Sequence, residues 1–256
     1  MPTSSPAGIS SASPPVPHPT VLVTGGSRGI GRAICLEFAQ AGWRVGVHYR
    51  ERREDADRTA AWIKDRGGEG FTFCADIRDA RQVDAMVRAL AARWERLDVM
   101  VCNAGQAASA LLLRMRPDEW AAIIDTNLTG TFHCLKAAGR LMLPQRDGAV
   151  IVVSSFAGVQ GRSGQSAYAA SKAGLLGLVK TAAREWGRRN VRVNAVFPGW
   201  HKTDLSEAAM PDKARLHDHA LGRSPDLEQI ARSVHHLALL KDASGQVWNL
   251  DSRILS

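Results

Sequence analysis

Seven short runs rich in β-branched residues recur along this chain, and stretches with helical spacing fill the gaps between them. The runs are TVLVT (20–24), RVGVH (44–48), GFTFCA (70–75), DVMVC (98–102), AVIVVS (149–154), VRVNAVF (191–197) and QVWNL (246–250). Each is short, largely apolar and bounded by polar or Gly-containing segments, the pattern of a buried strand. Between them Ile30, Ile34, Phe38 and Ala41 follow one helical stripe, and Val83, Met86, Val87 and Leu90 follow another. Strand and helix in alternation imply a parallel sheet, because parallel neighbours need a crossover and a helix supplies it. The expectation is an α/β fold: one doubly wound parallel sheet of about seven strands with helices on both faces.

Residues 1–19 break this pattern. They are rich in Ser, Pro and Ala and hold no Asp, Glu, Lys or Arg. Such a stretch buries too little apolar surface to offset its ordering entropy, so a disordered tail is expected, followed by a single domain over 20–256. No apolar run approaches the ~18 residues of a membrane span, and the start lacks the basic and apolar regions of a signal peptide. Cys35, Cys74, Cys102 and Cys134 are scattered, with no C-x-x-C; reduced, mostly buried thiols of a cytoplasmic protein are expected. The net charge is +8. A basic surface suits nucleic acid, a membrane, an acidic partner, or no partner at all. The arginines are spread over many segments with no block of like charge, so neither nucleic acid nor membrane is expected as a partner.

The first strand runs into Gly25-Gly26-Ser27-Arg28-Gly29-Ile30-Gly31 and then a helical stretch. Glycines there permit a tight turn, close approach of backbone to a pyrophosphate, and close packing of helix on strand. The helix N-terminus adds free N–H groups and partial positive charge. The setting is Rossmann-like, with a dinucleotide as the expected ligand. The second strand ends at His48-Tyr49-Arg50-Glu51-Arg52. An Asp or Glu at the strand end would hold the ribose hydroxyls of NAD. Tyr49 stands there instead, and Arg50 follows. With Arg28, it offers two guanidiniums to a 2′-phosphate, which favours NADPH/NADP+. The competing reading leaves Arg50 and Arg52 solvated and gives the ribose to Glu51.

Tyr168 and Lys172 lie four residues apart, on one face of a helix. A free phenol titrates near pH ~10 and is a poor acid–base group at neutral pH; a nearby ammonium is expected to lower that value. A tyrosine so tuned exchanges a proton with a carbonyl or alcohol oxygen. Ser155 falls at the carboxyl end of the fifth strand, where open α/β sheets bind ligands, and its hydroxyl can hydrogen-bond the same oxygen.

Taken together these pieces resemble the short-chain dehydrogenase/reductase superfamily over nearly all of residues 20–251. The matching segments are TGGSRGIG (24–31), AD (75–76), CNAG (102–105), Asn127 within TNLTG, SS (154–155), YAASK (168–172) and PGWHKT (198–203). The resemblance implies a catalytic tetrad of Asn127, Ser155, Tyr168 and Lys172. It places Thr24, Gly25, Ser27, Arg28, Gly29, Ile30 and Gly31 at the cofactor phosphates, with Tyr49 and Arg50 at the adenosine ribose. Asp76 and Ile77 fall at the adenine. Asn103, Ala104 and Gly105, then Pro198, Gly199 and Thr203, fall along the nicotinamide half. Without the resemblance Asn127 reads only as a helix-interior residue.

Within the superfamily the chain is most similar to the 3-oxoacyl-(acyl-carrier-protein) reductases, through AYAASKAGLLGLVKTAARE (167–185) and VRVNAVFPG (191–199). That implies NADPH-dependent reduction of a 3-oxoacyl thioester and a homo-oligomer, tetramer or dimer. It also implies docking of an acidic acyl carrier protein through Arg146 and Arg189; an arginine at a helix C-terminus also complements the dipole with no partner. Two further readings stay open: the same chemistry on a sugar, polyol, quinone or steroid, and a non-catalytic NADPH-binding sensor or scaffold.

The C-terminal end departs from that pattern. Asp242-Ala243-Ser244-Gly245-Gln246 is shorter than usual, and Asp251-Ser252-Arg253 stands where the family has Asp-Gly-Gly. Because the family packs this segment at a subunit interface, the change bears on assembly. His201, His217, His219, His235 and His236 show no metal-ligand spacing, and no metal is expected. Trp200 is read either as a wall of the substrate mouth or as a cap on the fold, and segment 204–222 as a substrate lid by its position.

Overall fold

The computed structural model of the chain describes residues 18–201 and 219–254. The tail over 1–17, Thr203, His217 and most of the segment read as a lid lie outside the described residues.

All seven expected strands form, each within about a residue of its sequence run: β1 (Thr20–Val23), β2 (Arg44–Tyr49), β3 (Glu69–Cys74), β4 (Val99–Cys102), β5 (Gly148–Val153), β6 (Val191–Phe197) and β7 (Val247–Asn249). They make one parallel sheet in the order β3-β2-β1-β4-β5-β6-β7. The chain winds outward from β1 to β3, then returns to the far side of β1 with β4. The crevice between the carboxyl ends of β1 and β4 is therefore the switch point at which such sheets bind ligands.

Side chains alternate across the sheet with period two and divide the interior into two cores. Val21, Val23, Val99, Val101, Ala149 and Ile151 point to one face, where α1 (Gly29–Gln40) and α2 (Arg53–Asp65) pack. They are joined there by α8 (Leu227–Leu239). Leu22, Met100, Cys102, Val150 and Val152 point to the other face. It is covered by α3 (Ala80–Trp94), α5 (Gly130–Gln145) and α7 (Ser166–Trp186). Full burial of one such Leu or Val contributes about 1.5–3 kcal/mol. The stripe on α3 is buried throughout. On α1, Ile34 and Phe38 are buried, but Ala41 is exposed as the C-cap residue, one position past the last helical one. His235 packs edge-on against Phe38 and Trp43, while His236 is exposed.

Two local features position the site. Helix α4 (Pro117–Ile124) continues into α5 through a π turn at Asp125–Thr129 that contains Asn127. The single-turn helix α6 (Ala157–Gln160) lies so close to α7 that a Cβ on Gly158 would come 2.7 Å from the Ala173 nitrogen. The shortened 242–246 loop is closed by β6: Asn194 Nδ2 donates to the Ala243 carbonyl (2.8 Å) and its Oδ1 accepts from the Gln246 N–H (3.0 Å).

Candidate active site

The glycine turn, the end of β2 and the loops after β3 and β4 enclose a cavity of about 690 Å³ over the switch point. Gly25, Ser27, Arg28, Gly29 and Ile30 form one wall, and Tyr49 and Arg50 the adjoining one. Asp76 and Ile77, then Asn103, Ala104 and Gly105, complete it. These twelve of the predicted cofactor residues line the cavity, whereas Thr24, Gly31, Tyr168, Lys172, Pro198 and Gly199 do not. Gly31 is buried beneath the turn, where a Cβ would stand 2.2 Å from the Gly25 carbonyl oxygen and 2.6 Å from Asn103 Nδ2. Thr24 is 1% exposed. Its hydroxyl accepts from the Asn103 and Ala104 N–H groups (2.9 and 3.0 Å) and donates to the Val101 carbonyl (3.3 Å). Thr24 therefore ties β1 to the loop after β4 instead of facing the cavity. Pro198 and Gly199 follow β6; Gly199 has φ +84°, and a Cβ there would meet Asp251 at 2.8 Å.

Two residues that sequence reasoning passed over hold the cavity together. His48, 2% exposed, accepts from the Gly25 N–H through Nδ1 (3.0 Å) and contacts the Ala75 carbonyl through Nε2 (3.0 Å). A carbonyl only accepts, so Nε2 carries the proton and the ring is the neutral Nε2–H tautomer. Burial lowers its pKa to about 4, which keeps it in that form. Arg32, one turn into α1, reaches back to the Ser27 carbonyl through Nε (2.9 Å) and Nη2, and lies 5.0 Å over the Trp62 ring. No periodicity or motif announces either residue, since each acts through a partner distant in sequence.

Just past the end of β2, Arg50 and Glu51 form an exposed ion pair at 2.6 Å. Asp76 is gripped by Arg78, whose hydrogen bonds lower its pKa against the effect of burial.

The reactive groups gather at the carboxyl ends of β4 and β5. Lys172 is 5% exposed and its Nζ donates to the Val153 carbonyl at 2.7 Å. Tyr168 lies one turn earlier on α7, half-buried, with the Lys172 Nζ 5.7 Å from its ring centroid. Ser155 hydrogen-bonds the Tyr168 phenol, and its Oγ accepts from the Ala157 N–H at 3.2 Å. The expected lowering of the phenol pKa by Lys172 is not what this geometry gives. Burial raises the Tyr168 pKa, and the opposing influences are the Ser155 hydrogen bond and then the charge of Arg253. The ammonium is engaged with a carbonyl instead. Burial lowers the Lys172 pKa to about 8, so it remains mostly charged at neutral pH.

Asn127 is fully buried, as a helix-interior residue should be, but no part of its amide is idle. Nδ2 donates to the Gln106 carbonyl (2.9 Å) and to Ser171 Oγ (3.0 Å), and Oδ1 accepts from the Gln106 N–H (2.8 Å). Ser171 in turn donates to the Tyr168 carbonyl at 2.7 Å. A Cβ on Gly105 would lie 3.1 Å from Asn127 Oδ1 and 3.8 Å from Lys172 Nζ, so the two side chains share one corner of the cleft. π turns inside helices frequently mark functional sites.

Arg146 and Arg189 are exposed just before β5 and β6. Asn190 Nδ2 donates to Asp147 Oδ1 at 3.1 Å, which brings the two arginines close together. They stand at the amino end of the sheet, whereas Ser155 stands at its carboxyl end, roughly 20 Å away along a six-residue strand.

A family model described as short chain dehydrogenase matches residues 19–214. A 3-oxoacyl-[acyl-carrier-protein] reductase of Synechocystis is 41% identical over 233 residues, covering 90% of this chain and 94% of that protein. A protein of the same description from Staphylococcus aureus is 45% identical over 189 residues, covering 74% of this chain and 77% of that one. Among solved structures, a dehydrogenase/reductase of Sinorhizobium meliloti superposes with a TM-score of 0.86 at 32% identity, covering 93% of this chain and 95% of its own.

Proposed function

The chain belongs to the short-chain dehydrogenase family, and from that premise we propose that it reduces the 3-oxo group of an acyl thioester, carried by acyl carrier protein or coenzyme A, using NADPH. The observation that carries the proposal is the grouping of Ser155, Tyr168 and Lys172 at the carboxyl end of β5, with the Lys172 Nζ 3.8 Å from where a Cβ on Gly105, a wall residue of the cavity, would stand. A non-catalytic binder would have no need of a phenol, a hydroxyl and an ammonium set together there.

The cavity fits the cofactor. Its volume suits a dinucleotide, α1 turns its N-terminus toward it, and Gly31 and Gly25 leave the turn free of side chains. Ser27, Arg28 and Gly29 would hold the phosphates, Asp76 and Ile77 the adenine, and Gly105 with Lys172 the nicotinamide half. Arg50 would exchange Glu51 for a 2′-phosphate, a stronger bidentate partner than an exposed carboxylate; this, with no acid at Tyr49, supports NADPH. The bound nicotinamide supplies the hydride that adds to the carbonyl carbon. The rest falls to the chain. Ser155 hydrogen-bonds the carbonyl oxygen and fixes its position. Tyr168, kept protonated by its raised pKa, gives that oxygen its proton, and the product is the 3-hydroxyacyl thioester. Lys172 holds a positive charge beside the phenolate that forms. Asn127 has its side chain engaged with Gln106 and Ser171, so we assign it to holding α7 and the loop after β4 in register.

Four free cysteines, three of them buried, suit a reducing compartment such as the cytoplasm. The exposed side chains of Leu112, Leu113 and Phe132 support assembly with further copies.

The test is loss of reduced-nicotinamide absorbance with an acetoacetyl thioester, NADPH and NADH run in parallel. Turnover with NADPH, little with NADH, and a loss of about 10²–10⁴-fold in Tyr168→Phe with NADPH binding intact are expected. Arg50→Asp should weaken NADPH far more than NADH. Retained turnover in Tyr168→Phe would remove the proton donor from the mechanism.

A further inference from the structure

Among the described residues only a few buried side-chain polar atoms lack a hydrogen-bond partner, and one of them belongs to a wall residue of the dinucleotide cavity. It is the hydroxyl of Thr126, a residue 7% exposed, in the π turn that joins α4 to α5. A threonine inside a helix often gives its hydroxyl proton to the carbonyl four residues back. Thr131 does so, donating to the Asn127 carbonyl at 2.7 Å. For Thr126 the equivalent acceptor is the Ala122 carbonyl, and that oxygen already accepts twice. The Asp125 N–H reaches it along the helix, and Gln106 Nε2 reaches it from the loop after β4. A carbonyl has two lone pairs, so no place is left for Thr126. Gln106 is itself a wall residue of the cavity. Its amide thus takes the acceptor that would otherwise hold the threonine hydroxyl in the helix.

A polar group kept buried and unpaired costs the fold its desolvation, so such a group at the wall of a binding cleft calls for a ligand that satisfies it. Its place along the cavity says which part of the ligand. Gly130 lies four residues after Thr126, on the same side of the helix. A Cβ on Gly130 would stand 2.7 Å from Ile77 Cγ1, and His133 Nδ1 donates to the Ile77 carbonyl at 3.0 Å. The start of α5 is therefore seated on Ile77, the residue that would hold the adenine.

We propose that Thr126 is a cofactor-binding residue whose hydroxyl hydrogen-bonds the adenosine half of the dinucleotide, with Gln106 as the positioning residue that keeps it free. A hydroxyl donates one bond and accepts others, so it can meet either a ring nitrogen or an amino group of the base. The inference rests on the reading of this cavity as a nicotinamide dinucleotide site, but not on the thioester and not on NADPH over NADH.

The experiment compares full-length wild type with Thr126→Val, which removes the hydroxyl and keeps the shape, and with Thr126→Ser, which restores it. NADPH and NADH are titrated by fluorescence. ADP-ribose, which carries the adenosine half without the nicotinamide, is titrated by calorimetry. One net hydrogen bond corresponds to about three- to tenfold in Kd. Thr126→Val is expected to lose that factor with all three ligands, and Thr126→Ser to regain most of it. In cofactor-free protein Thr126→Val should melt at or above the wild-type temperature, because it removes an unpaired buried group. Unchanged affinities in Thr126→Val, a loss that spares ADP-ribose, or no recovery in Thr126→Ser overturns the proposal. A lower melting temperature of cofactor-free Thr126→Val overturns it as well, since the hydroxyl would then serve the fold. A wild type that binds neither dinucleotide removes the cofactor reading and Thr126 with it; dinucleotide binding that Thr126→Val leaves unmoved removes Thr126 alone.

Discussion

Lys172 illustrates a site that trades stability for chemistry, and the trade can be measured. Lys172 is 5% exposed, its ammonium donates to the Val153 carbonyl at 2.7 Å as its one hydrogen-bond acceptor among the described residues, and burial lowers its pKa from 10.5 to about 8. The folded value lies below the unfolded one, so the unfolded chain binds more protons between those two values. Below about pH 8 the lysine is charged in both states and folding bears the full desolvation cost. Above about pH 10.5 it is neutral in both and the cost vanishes. The difference corresponds to about 3 kcal/mol, and linkage recovers most of it, about 2–3 kcal/mol, between pH ~7 and pH ~10. Lys172→Met removes the charge and retains the apolar stem. It leaves the Val153 carbonyl unpaired, which costs about 1–3 kcal/mol. The variant should therefore be of similar or greater stability than wild type near neutral pH, and its advantage should shrink by about 2–3 kcal/mol as the pH approaches 10. Its turnover should be lost. Guanidinium denaturation of cofactor-free protein at fixed concentration, at several pH values, reads the difference directly. A wild type and variant whose stabilities run parallel with pH would refute the argument.

Three other outcomes follow from the same geometry. Gly31→Ala would set a methyl 2.2 Å from the Gly25 carbonyl oxygen; forced apart, the turn should lose at least tenfold in NADPH affinity by fluorescence titration, and unchanged affinity would show that the turn is not the phosphate cradle. His48, with its pKa lowered from 6.5 to about 4, is neutral when folded and charges on unfolding, so stability falls as pH drops through that window. Between pH ~7 and pH ~5 wild type should lose about 2 kcal/mol that His48→Asn does not, and equal slopes in urea denaturation would remove His48 from the account. Arg146→Glu with Arg189→Glu should slow reduction of a carrier-protein thioester while leaving the coenzyme A thioester untouched; an equal rate on both would end the case for docking at that edge.

What the sequence disclosed follows the range over which each force acts. The strands were legible because Val21, Leu22 and Val23 are all buried in a two-sided sheet, which leaves an unbroken apolar run. The glycine turn and the Tyr168–Lys172 spacing were legible because backbone freedom and helical periodicity are local. Asn127 was visible only through resemblance, since its partners Gln106 and Ser171 lie 21 and 44 residues away. His48 and Arg32 were missed for the same reason: a histidine on a strand and an arginine on a helix carry no local mark of the carbonyls they serve. The tuning of Tyr168 was misjudged because proximity on a helix fixes only that Lys172 is near. It does not fix where the ammonium points, and here it points to Val153.

That last point bears on how the cleft works before a cofactor enters. A phenol whose pKa is raised by burial is held as an acid, the form a reductase requires, and the Ser155 hydrogen bond keeps it directed into the cleft. Had Lys172 been aimed at the phenolic oxygen, the phenolate would be favoured in the resting protein and the reverse, oxidative direction with it. Lys172 on the Val153 carbonyl instead keeps a positive charge nearby without committing it, so the phenolate gains a counter-ion only once the proton has left. The cation whose field does reach the phenol in the resting state is Arg253, from the one segment that departs from the family pattern. A neutral residue at that position should therefore raise the phenol pKa further, which two tyrosines in the whole chain make simple to follow. With ¹³C-labelled tyrosine, the resonance that persists in Tyr168→Phe belongs to Tyr49; the other should titrate later in Arg253→Gln than in wild type, and an unmoved midpoint would remove Arg253 from the electrostatics of the phenol.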